Sequence, residues 1–333
     1  MMLRHFSLSR VPFAVVDIKA RSHSSSPPAQ SEWPLSIVVT TYRITRLRYV
    51  ESLITSLAGQ DYTHFELIFV VEKEHALLRA IEHFANAQGL HAVKLIFNSD
   101  EPGISGSRNK GIKASEGRVV AIVDDDVILP PHWCSAIIKL FDDSSIAAAT
   151  GPVMPLWEDE SVSWLPPQLH WLVGCSSWSQ NKSMTETRNV WGANMAFRRT
   201  AILSVSGFSA GIGGILGKRL HGEENELSLR INRRNLGRII FAPQISLQHQ
   251  IPRSRLEIPL VLRSSYDMGR TRRLYSNHLD QLSIERSVAF SIIKDGLVLP
   301  LFRLPTKRKK VFDIMFISAV ALFATGMGYV FGR

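Results

Sequence analysis

Short apolar runs alternate with amphipathic segments along the first third of the chain. Apolar runs typical of strands occupy residues 35–41, 66–71, 93–97 and 118–123. Between these runs, apolar residues at helical spacing predict helices near residues 46–57, 76–87 and 107–114. Continuously apolar strands separated by amphipathic helices are typical of a mostly parallel sheet that helices cover on both faces. The pattern therefore predicts an α/β fold.

The hydrophobic pattern changes near the C-terminus. Residues 311–331 form a nearly uninterrupted apolar run. At about 1.5 Å per residue, a helix of this length could cross the core of a bilayer. The basic sequence TKRKK directly precedes the run, as expected for the cytoplasmic end of a membrane helix. A buried terminal helix is the alternative interpretation, and we favour the membrane helix.

These patterns divide the chain into four parts. Residues 1–31 are predicted to be a flexible N-terminal arm, because Ser, Pro and Gln dominate their last third. They lack the uninterrupted apolar segment of a signal peptide. Residues 32–250 are predicted to form the α/β domain, 251–310 a basic amphipathic juxtamembrane region, and 311–331 the membrane helix.

The positive charge is concentrated beside the predicted membrane helix. The net charge is +10, yet Lys and Arg number 21 against 22 Asp and Glu in residues 32–250. In residues 251–310 they number 13 against 5, which favours anionic lipid head groups as a partner. Nucleic acid is not expected, because the charge is not interleaved with aromatic stacking residues across the α/β domain. Cys134 and Cys175 are too few for a disulfide framework or a zinc site.

The sequence AIVDDDVILPP places three consecutive aspartates, Asp124, Asp125 and Asp126, at the end of a predicted strand. In parallel sheets, ligands bind beyond the carboxyl ends of the strands. Clustered carboxylates at such a position suit a hard divalent cation, because Mg²⁺ or Mn²⁺ is commonly held by one or two carboxylates together with substrate phosphates. The motif predicts a metal site that holds a diphosphate, although a solvated turn could contain the same residues.

Four stretches together resemble the family 2 inverting glycosyltransferases of the GT-A fold, over residues 35–249. The first two are VVTTYR, at the end of the first strand, and NSDEPGISGSRNKGI, where an Arg-Asn pair follows a glycine-rich loop. The third is VDDDVILPP, which is similar to the family's aspartate motif. The fourth is WGANMAFRRTAILSVSGF with the following HGEENELSLRINRRNLGRIIFAP, which resembles the block on the acceptor side. The resemblance implies a GT-A fold.

The resemblance also implies a nucleotide-sugar site. It places Thr41 and Tyr42 near the base, Arg108 near the nucleotide, and Asn109 in a supporting role. It makes Asp126 the ligand of Mg²⁺ or Mn²⁺ and directs Asp124 or Asp125 toward the ribose. Where members of the family often have a pair of aspartates after the second strand, this chain has FVVEKE, so Glu72 is the expected equivalent. His249 is either an additional metal ligand or a hydrogen-bonded histidine at the end of a strand.

On the acceptor side, the resemblance implies a general base. The family usually has a Glu-Asp pair at this place, whereas this chain has Glu223 and Glu224. Glu224 is expected to take the proton of the acceptor hydroxyl in a single inverting displacement, with Glu223 as the alternative if the register differs by one. The extra methylene of a glutamate could move the carboxylate by more than about 1 Å. Gly192 and Asn194 are the other residues expected on this side.

Location favours a particular acceptor. Nucleotide sugars such as UDP- or GDP-sugars are made in the cytosol, so the catalytic domain is expected there, with a single C-terminal anchor in the cell membrane. An anchored enzyme meets an acceptor confined to the bilayer at high effective concentration. A lipid-linked acceptor, with a polyprenyl or dolichyl phosphate carrier, is therefore expected. A glycolipid or polysaccharide acceptor, and a non-catalytic membrane adaptor that keeps the fold, are the alternatives.

Overall fold

The structure, a computed structural model, describes residues 33–100, 103–176, 183–209, 222–276, 289–290, 292–298 and 308–332. The predicted arm 1–31 lies outside the described residues, as does residue 307 of the basic cluster. Residues 210–221 of the glycine-rich segment that precedes Glu223 also lie outside them.

The strands and helices alternate as the hydrophobic pattern predicts. In the described residues, the strands are β1 (Leu35–Thr41), β2 (Phe65–Glu72), β3 (Val93–Asn98), β4 (Val119–Asp124), β5 (Val127–Ile128), β6 (Ile146–Thr150), β7 (Val153–Trp157), β8 (Thr185–Glu186), β9 (Asn194–Arg198), β10 (Arg238–Phe241) and β11 (Leu247–Ile251). The helices are α1 (Leu47–Ala58), α2 (His75–Ala87), α3 (Ile104–Ala114), α4 (Trp133–Leu140), α5 (Arg199–Ser204), α6 (Glu223–Arg233), α7 (Ile258–Ser276) and α8 (Arg308–Phe331). The described residues also contain short 3₁₀ turns and a π-helical segment, Ile292–Val298.

The main sheet has eight strands in the order β3-β2-β1-β4-β9-β6-β10-β8. Strands β3, β2, β1 and β4 are parallel to one another, and β10 is parallel to β6. Strand β9 is antiparallel to both β4 and β6, and β8 is antiparallel to β10. The predicted α/β fold with a mostly parallel sheet is confirmed, and the antiparallel strands lie in its second half.

Helices cover both faces of this sheet. Side chains on successive strand residues point to opposite faces, so neighbouring residues of one strand pack against different helices. Ile37 and Val39 of β1 pack in the core cluster that includes residues of α1, α2 and α4. Val38, between them, packs in a second cluster with residues of α3, α5 and α6. All three side chains are fully buried. Burial on both faces explains why these strands are apolar at every position.

A second sheet of three strands, in the order β5-β11-β7, places the end of the domain beside the aspartate motif. Strand β11 pairs antiparallel with β5, so that His249 lies opposite Val127. The backbone N–H of Gln250 donates a hydrogen bond of 2.8 Å to the carbonyl oxygen of Asp126. This pairing brings together residues that are more than 120 positions apart in the chain.

The last two long helices, α7 and α8, lie side by side. Residues Val311–Phe331 of α8 form a helix long and apolar enough to cross a membrane. Ile317 and Ala321 of α8 are buried together with Val261 of α7. Helix α8 is thus packed against another helix over part of its surface, which the sequence pattern did not predict.

Candidate active site

Polar side chains meet at the carboxyl end of the parallel strands. Thr41, Glu72, Asn98 and Asp124 each end or nearly end one of the four neighbouring strands. The register aligns them, since Thr40 is opposite Asp124 and Glu72 is opposite Asn98. This edge is where a parallel sheet binds ligands, as the sequence predicts.

Asp126 and His249 form the closest pair of predicted metal ligands. His249 Nε2 lies 2.9 Å from Asp126 Oδ1, and both residues are only 3% exposed. Burial alone would lower the pKa of His249, but the neighbouring Asp126 raises it to about 10. Burial would raise the pKa of Asp126, but His249 and Arg46 hold it below its ordinary value. The two side chains are therefore a buried ion pair near neutral pH.

Arg46 is a site residue that the sequence analysis did not identify. Its Nε donates a 2.6 Å hydrogen bond to Asp125 Oδ2, and its Nη2 lies 2.7 Å from Asp126 Oδ2. Its guanidinium group also pairs with the second oxygen of Asp125. Arg255 approaches Asp126 Oδ2 at 3.6 Å. Two arginines and a histidine thus offset the charge of the aspartate motif.

We expect Arg46→Gln to destabilise the metal-free protein. Removing one partner of a buried ion pair costs about 3 kcal/mol of unfolding free energy, because the other charge remains buried. The loss should be smaller near pH 5, because burial already raises the pKa of Asp125 to about 6 and losing Arg46 raises it further. Chemical denaturation of both proteins at pH 7.5 and pH 5 measures both effects.

Arg48→Gln is the matched control for this prediction. Arg48 pairs with Glu158 at 3.0 Å, but its side chain is 64% exposed. Exposed ion pairs contribute about 0–1 kcal/mol. Equal losses in Arg46→Gln and Arg48→Gln would show that Arg46 is not the counter-charge of the aspartate motif.

Arg108 connects the aspartate motif to the start of α6. This fully buried side chain donates from Nη1 to Glu223 Oε1 at 2.8 Å and from Nη2 to Asp124 Oδ1 at 3.1 Å. Nη2 also lies 3.2 Å from the carbonyl oxygen of Gly192. Phe208 lies under the guanidinium group, 5.4 Å from ring centroid to Cζ. The residue predicted to lie near the nucleotide therefore also holds the acceptor-side segments in place.

The two adjacent glutamates have different environments. Glu223 is buried and engaged by Arg108. Glu224 lies beside Gly192, at which an added Cβ would come 4.0 Å from the carboxyl carbon of Glu224. Burial and the neighbouring Glu223 raise the pKa of Glu224 to about 8. Glu224 thus has the environment of a proton acceptor, and Glu223 that of a positioning residue.

Three further predicted residues support the backbone of the site. The side chain of Asn109 both donates to and accepts from the backbone of Phe208, at 2.8 Å each. The buried amide of Asn194 donates to the carbonyl oxygen of Ile245 at 2.7 Å. Glu72 accepts a hydrogen bond of 3.0 Å from the backbone N–H of Gly103, at the start of α3. In this conformation their polar groups hold segments together.

Two predicted residues lie at the end of β1. Thr41 is buried, whereas the ring of Tyr42 is 47% exposed. The guanidinium groups of Arg43 and Arg46 lie 5.3 and 5.8 Å from the centroid of the Tyr42 ring. An exposed aromatic ring next to cations can stack on a nucleotide base.

The donor atoms fit a divalent metal that is completed by its substrate. The described residues contain no cluster of three or more His, Cys, Asp or Glu that could enclose a metal ion. The carboxylate of Asp126 and the ring of His249 already touch, and Mn²⁺ accepts both as ligands once the metal has displaced the proton from His249 Nε2. Metals that act with nucleotides usually take one or two protein ligands and fill the other positions with phosphate oxygens and water. The pair suits that arrangement.

The sequence carried a weak signal for Arg46. It belongs to the basic segment YRITRLR that directly follows β1, and β1 lies next to β4 with its aspartates. A cation that follows one strand and carboxylates that follow its neighbour meet at the same edge. The contact of Arg255 with Asp126 had no such signal, because Arg255 follows a strand of the second sheet.

Comparison with known proteins agrees with this geometry. The family model described as Glycosyl transferase family 2 matches residues 36–205, about half of the chain. A glucosyl-dolichyl phosphate glucuronosyltransferase from Haloferax volcanii is 28% identical over 302 residues, which are 90% of this chain and 96% of that protein. The fold is similar to that of the mannosyltransferase PcManGT from Pyrobaculum calidifontis, whose structure is a complex with GDP-Man and Mn²⁺. The TM-score is 0.60 and the sequence identity 15%, and the match covers 93% of this chain and 91% of PcManGT. It is also similar to TarS from S. aureus, with a TM-score of 0.51, 15% identity, and coverage of 90% and 75%.

Proposed function

The chain belongs to glycosyltransferase family 2 and has the GT-A fold, and we propose that it transfers a sugar from a nucleoside-diphosphate sugar to a lipid-linked acceptor. The observation that carries this proposal is that the candidate residues lie together at one edge of the sheet. There the Asp126–His249 pair, the Asp124–Arg108–Glu223 chain and the carboxyl group of Glu224 lie together. A donor site and a proton acceptor on one edge are what a direct transfer requires.

The donor is proposed to bind over the ends of β1 and β4. Tyr42 offers its exposed ring to the base, and Asp124 or Asp125 accepts hydrogen bonds from the ribose. Asp126 and His249 would hold Mg²⁺ or Mn²⁺, which supplies charge stabilisation to the departing diphosphate. Arg108 keeps Asp124 in position through its 3.1 Å contact.

Glu224 is proposed to act as the general base. The acceptor hydroxyl attacks the anomeric carbon, and its proton passes to the Glu224 carboxylate. The new C–O bond forms as the bond to the diphosphate oxygen breaks, and the nucleoside diphosphate leaves with that electron pair. Because no covalent enzyme intermediate forms, this displacement inverts the anomeric configuration.

The proposed acceptor is a polyprenyl or dolichyl phosphate carrier or a sugar linked to it. The relative from Haloferax volcanii, which aligns over nearly its whole length, carries dolichyl phosphate in its name. The apolar helix α8 and the basic region before it are consistent with work at a membrane surface. We propose that the catalytic domain faces the cytoplasm, where nucleotide sugars are made.

A panel assay tests this function. The full-length protein, in lipid nanodiscs with Mn²⁺ or Mg²⁺, is given UDP- and GDP-sugars together with dolichyl phosphate, a dolichyl phosphate sugar, a glycolipid or a soluble oligosaccharide. Mass spectrometry of the products should show one sugar added to a dolichyl-linked acceptor in the inverted configuration. Faster transfer to the soluble oligosaccharide would overturn the proposed acceptor. Binding of a nucleotide sugar without any turnover would instead support a non-catalytic adaptor.

The pH profile is expected to report on Glu224. A general base must be deprotonated, and the pKa of Glu224 is raised to about 8. We therefore expect kcat/KM to fall about tenfold per pH unit as the pH is lowered below about 8. The residual kcat/KM of Glu224→Gln should not show this fall at low pH. A wild-type profile that is flat between pH 6 and 9 would contradict this assignment.

A further inference from the structure

Helix α8 has two different faces. One carries Ser318, Ala321, Ala324 and Gly328, which are buried. The other, here called the phenylalanine face, consists of exposed residues that recur at helical spacing. These residues are Phe312, Phe316, Phe323, Met327 and Val330, of which Phe312 and Phe323 are each 68% exposed.

Helix α7 is in backbone contact with the small-residue side of α8. A Cβ atom added at Gly269 of α7 would overlap the carbonyl oxygen of Thr325, and one added at Gly328 would overlap the carbonyl oxygen of Tyr266. Arg273 donates to the carbonyl oxygens of Tyr329, at 3.2 Å, and Val330. The C-terminal half of α7 therefore lies alongside the C-terminal half of α8.

This packing is incompatible with a lone α8 that crosses the bilayer. Helix α7 carries five charged residues in 19: Arg263, Asp267, Arg270, Arg272 and Arg273. If α8 crossed, Asp267 and Arg270 would enter the acyl region beside it, where ionisable groups are costly. Arg273 would come to lie near the non-cytoplasmic surface, which opposes the positive-inside rule. A helix that lies in the plane of the membrane avoids both problems.

We propose that α7 and α8 form one membrane-docking unit that lies in the cytoplasmic leaflet without crossing it. Helix α8 is apolar on all sides, so the charged residues of α7 supply the polar side of the unit. The phenylalanine face enters the upper acyl region, as the apolar face of an interfacial helix does. Basic residues lie at both ends of α8: Arg308, Lys309 and Lys310 begin it, and Arg270 and Arg273 lie beside its last residues. For an in-plane helix, both ends are at the depth of the anionic phosphates.

This unit would also set the height of the active site above the lipid. Only six residues separate the end of β11 at Ile251 from the start of α7 at Ile258. His249, beside Asp126, belongs to β11. A short connection from the site to an in-plane helix would keep the site near the lipid phosphates. The inference deepens the membrane location in the proposed function, and it can fail independently of sugar transfer.

A protease-protection experiment tests the topology. The full-length protein with an epitope tag after residue 333 is placed in inverted membrane vesicles, which expose the cytoplasmic face. We expect external protease to remove the tag completely without detergent. A tag that is protected until detergent is added would show that α8 crosses, and would overturn the proposal. Sugar transfer in the same vesicles is measured separately, so a failure of the proposed function gives a different result.

Depth-dependent quenching provides a second readout. In a variant without the native Cys134 and Cys175, a cysteine that replaces Phe312, Phe323 or Val330 carries a fluorophore, and lipids carry quenchers at different depths. Leu203→Cys, an exposed position on α5, is the control. An in-plane helix predicts the same shallow depth at all three positions of α8 and no quenching at Leu203. A depth that is greatest at Phe323 and smaller toward both ends would indicate a crossing helix and contradict the proposal.

A double variant tests the phenylalanine face itself. We expect Phe316→Ser with Phe323→Ser to reduce binding to anionic phosphatidylglycerol vesicles at least tenfold, whereas Leu203→Ser leaves it unchanged. Both variants should keep the melting temperature of the wild type, which excludes misfolding. If the double variant stays on the vesicles, the proposal is wrong. A lower molecular mass in light scattering than that of the wild type would then indicate that the face contacts a second copy.

Discussion

Replacing Glu224 by Gln is expected to lower the turnover of sugar transfer by roughly 10²–10⁴, the usual contribution of a general base. The amide keeps the size of the side chain but cannot accept the proton of the acceptor hydroxyl. Donor binding should be unchanged, because the proposed donor contacts are on β1, β4 and β11. Single-turnover kinetics with saturating donor, together with the donor Kd, separates the two effects.

Glu223→Gln is the matched comparison, because the two glutamates are adjacent but differently bonded. Glu223 accepts the 2.8 Å hydrogen bond of the buried Arg108. The substitution should lower the free energy of unfolding by about 1–3 kcal/mol, because the amide oxygen can still accept this hydrogen bond but no longer offsets the charge of the buried guanidinium group. Turnover should fall less than in Glu224→Gln. If Glu223→Gln instead shows the large loss of turnover at unchanged stability, Glu223 is the base.

The fold was predictable because its strands are short and buried on both faces. Val38 and Val39 face opposite helical layers and are both fully buried, so apolar residues at successive positions mark a covered strand. The antiparallel insertion of β9 between β4 and β6 was not predictable in this way. A buried strand has the same composition in either direction, and its direction depends on tertiary connections.

The site was predictable where motif residues end neighbouring strands, and less so where they come from a second sheet. Asp124 and Thr41 fall on one edge because β1 and β4 pair in register. The contact of His249 with Asp126 depends on the pairing of β11 with β5, a two-residue strand that periodicity cannot reveal. The helix pair α7–α8 was missed for a related reason. Its closest backbone contacts are at Gly269 and Gly328, and hydropathy does not distinguish such glycines from residues that face lipid.

Replacing Asp126 by Asn should abolish transfer and remove most of the affinity for Mn²⁺. A neutral amide oxygen is a much weaker ligand than a carboxylate for a hard divalent cation. The fold should persist, because His249 owes its raised pKa to Asp126 and would become neutral near pH 7 without it. Arg46 would keep its contacts with Asp125. Electron paramagnetic resonance of free Mn²⁺ measures the affinity independently of turnover, and a melting curve checks the fold.

His249→Gln decides whether the histidine shares the metal with Asp126 or only supports it. The glutamine can still donate a hydrogen bond to the carboxylate, so a purely supporting role should leave Mn²⁺ affinity within a few-fold of wild type. If His249 is a ligand, the imidazole nitrogen is lost, and we expect the affinity to fall by more than about 100-fold, beyond the range of about 10-fold to 100-fold that is typical of outer-shell changes. Near-normal turnover of Asp126→Asn at saturating Mn²⁺ would contradict the assignment of Asp126 as the metal ligand. The buried pair of Asp126 and His249, whose side-chain atoms are 2.9 Å apart, would then have only the structural role of linking β5 to β11.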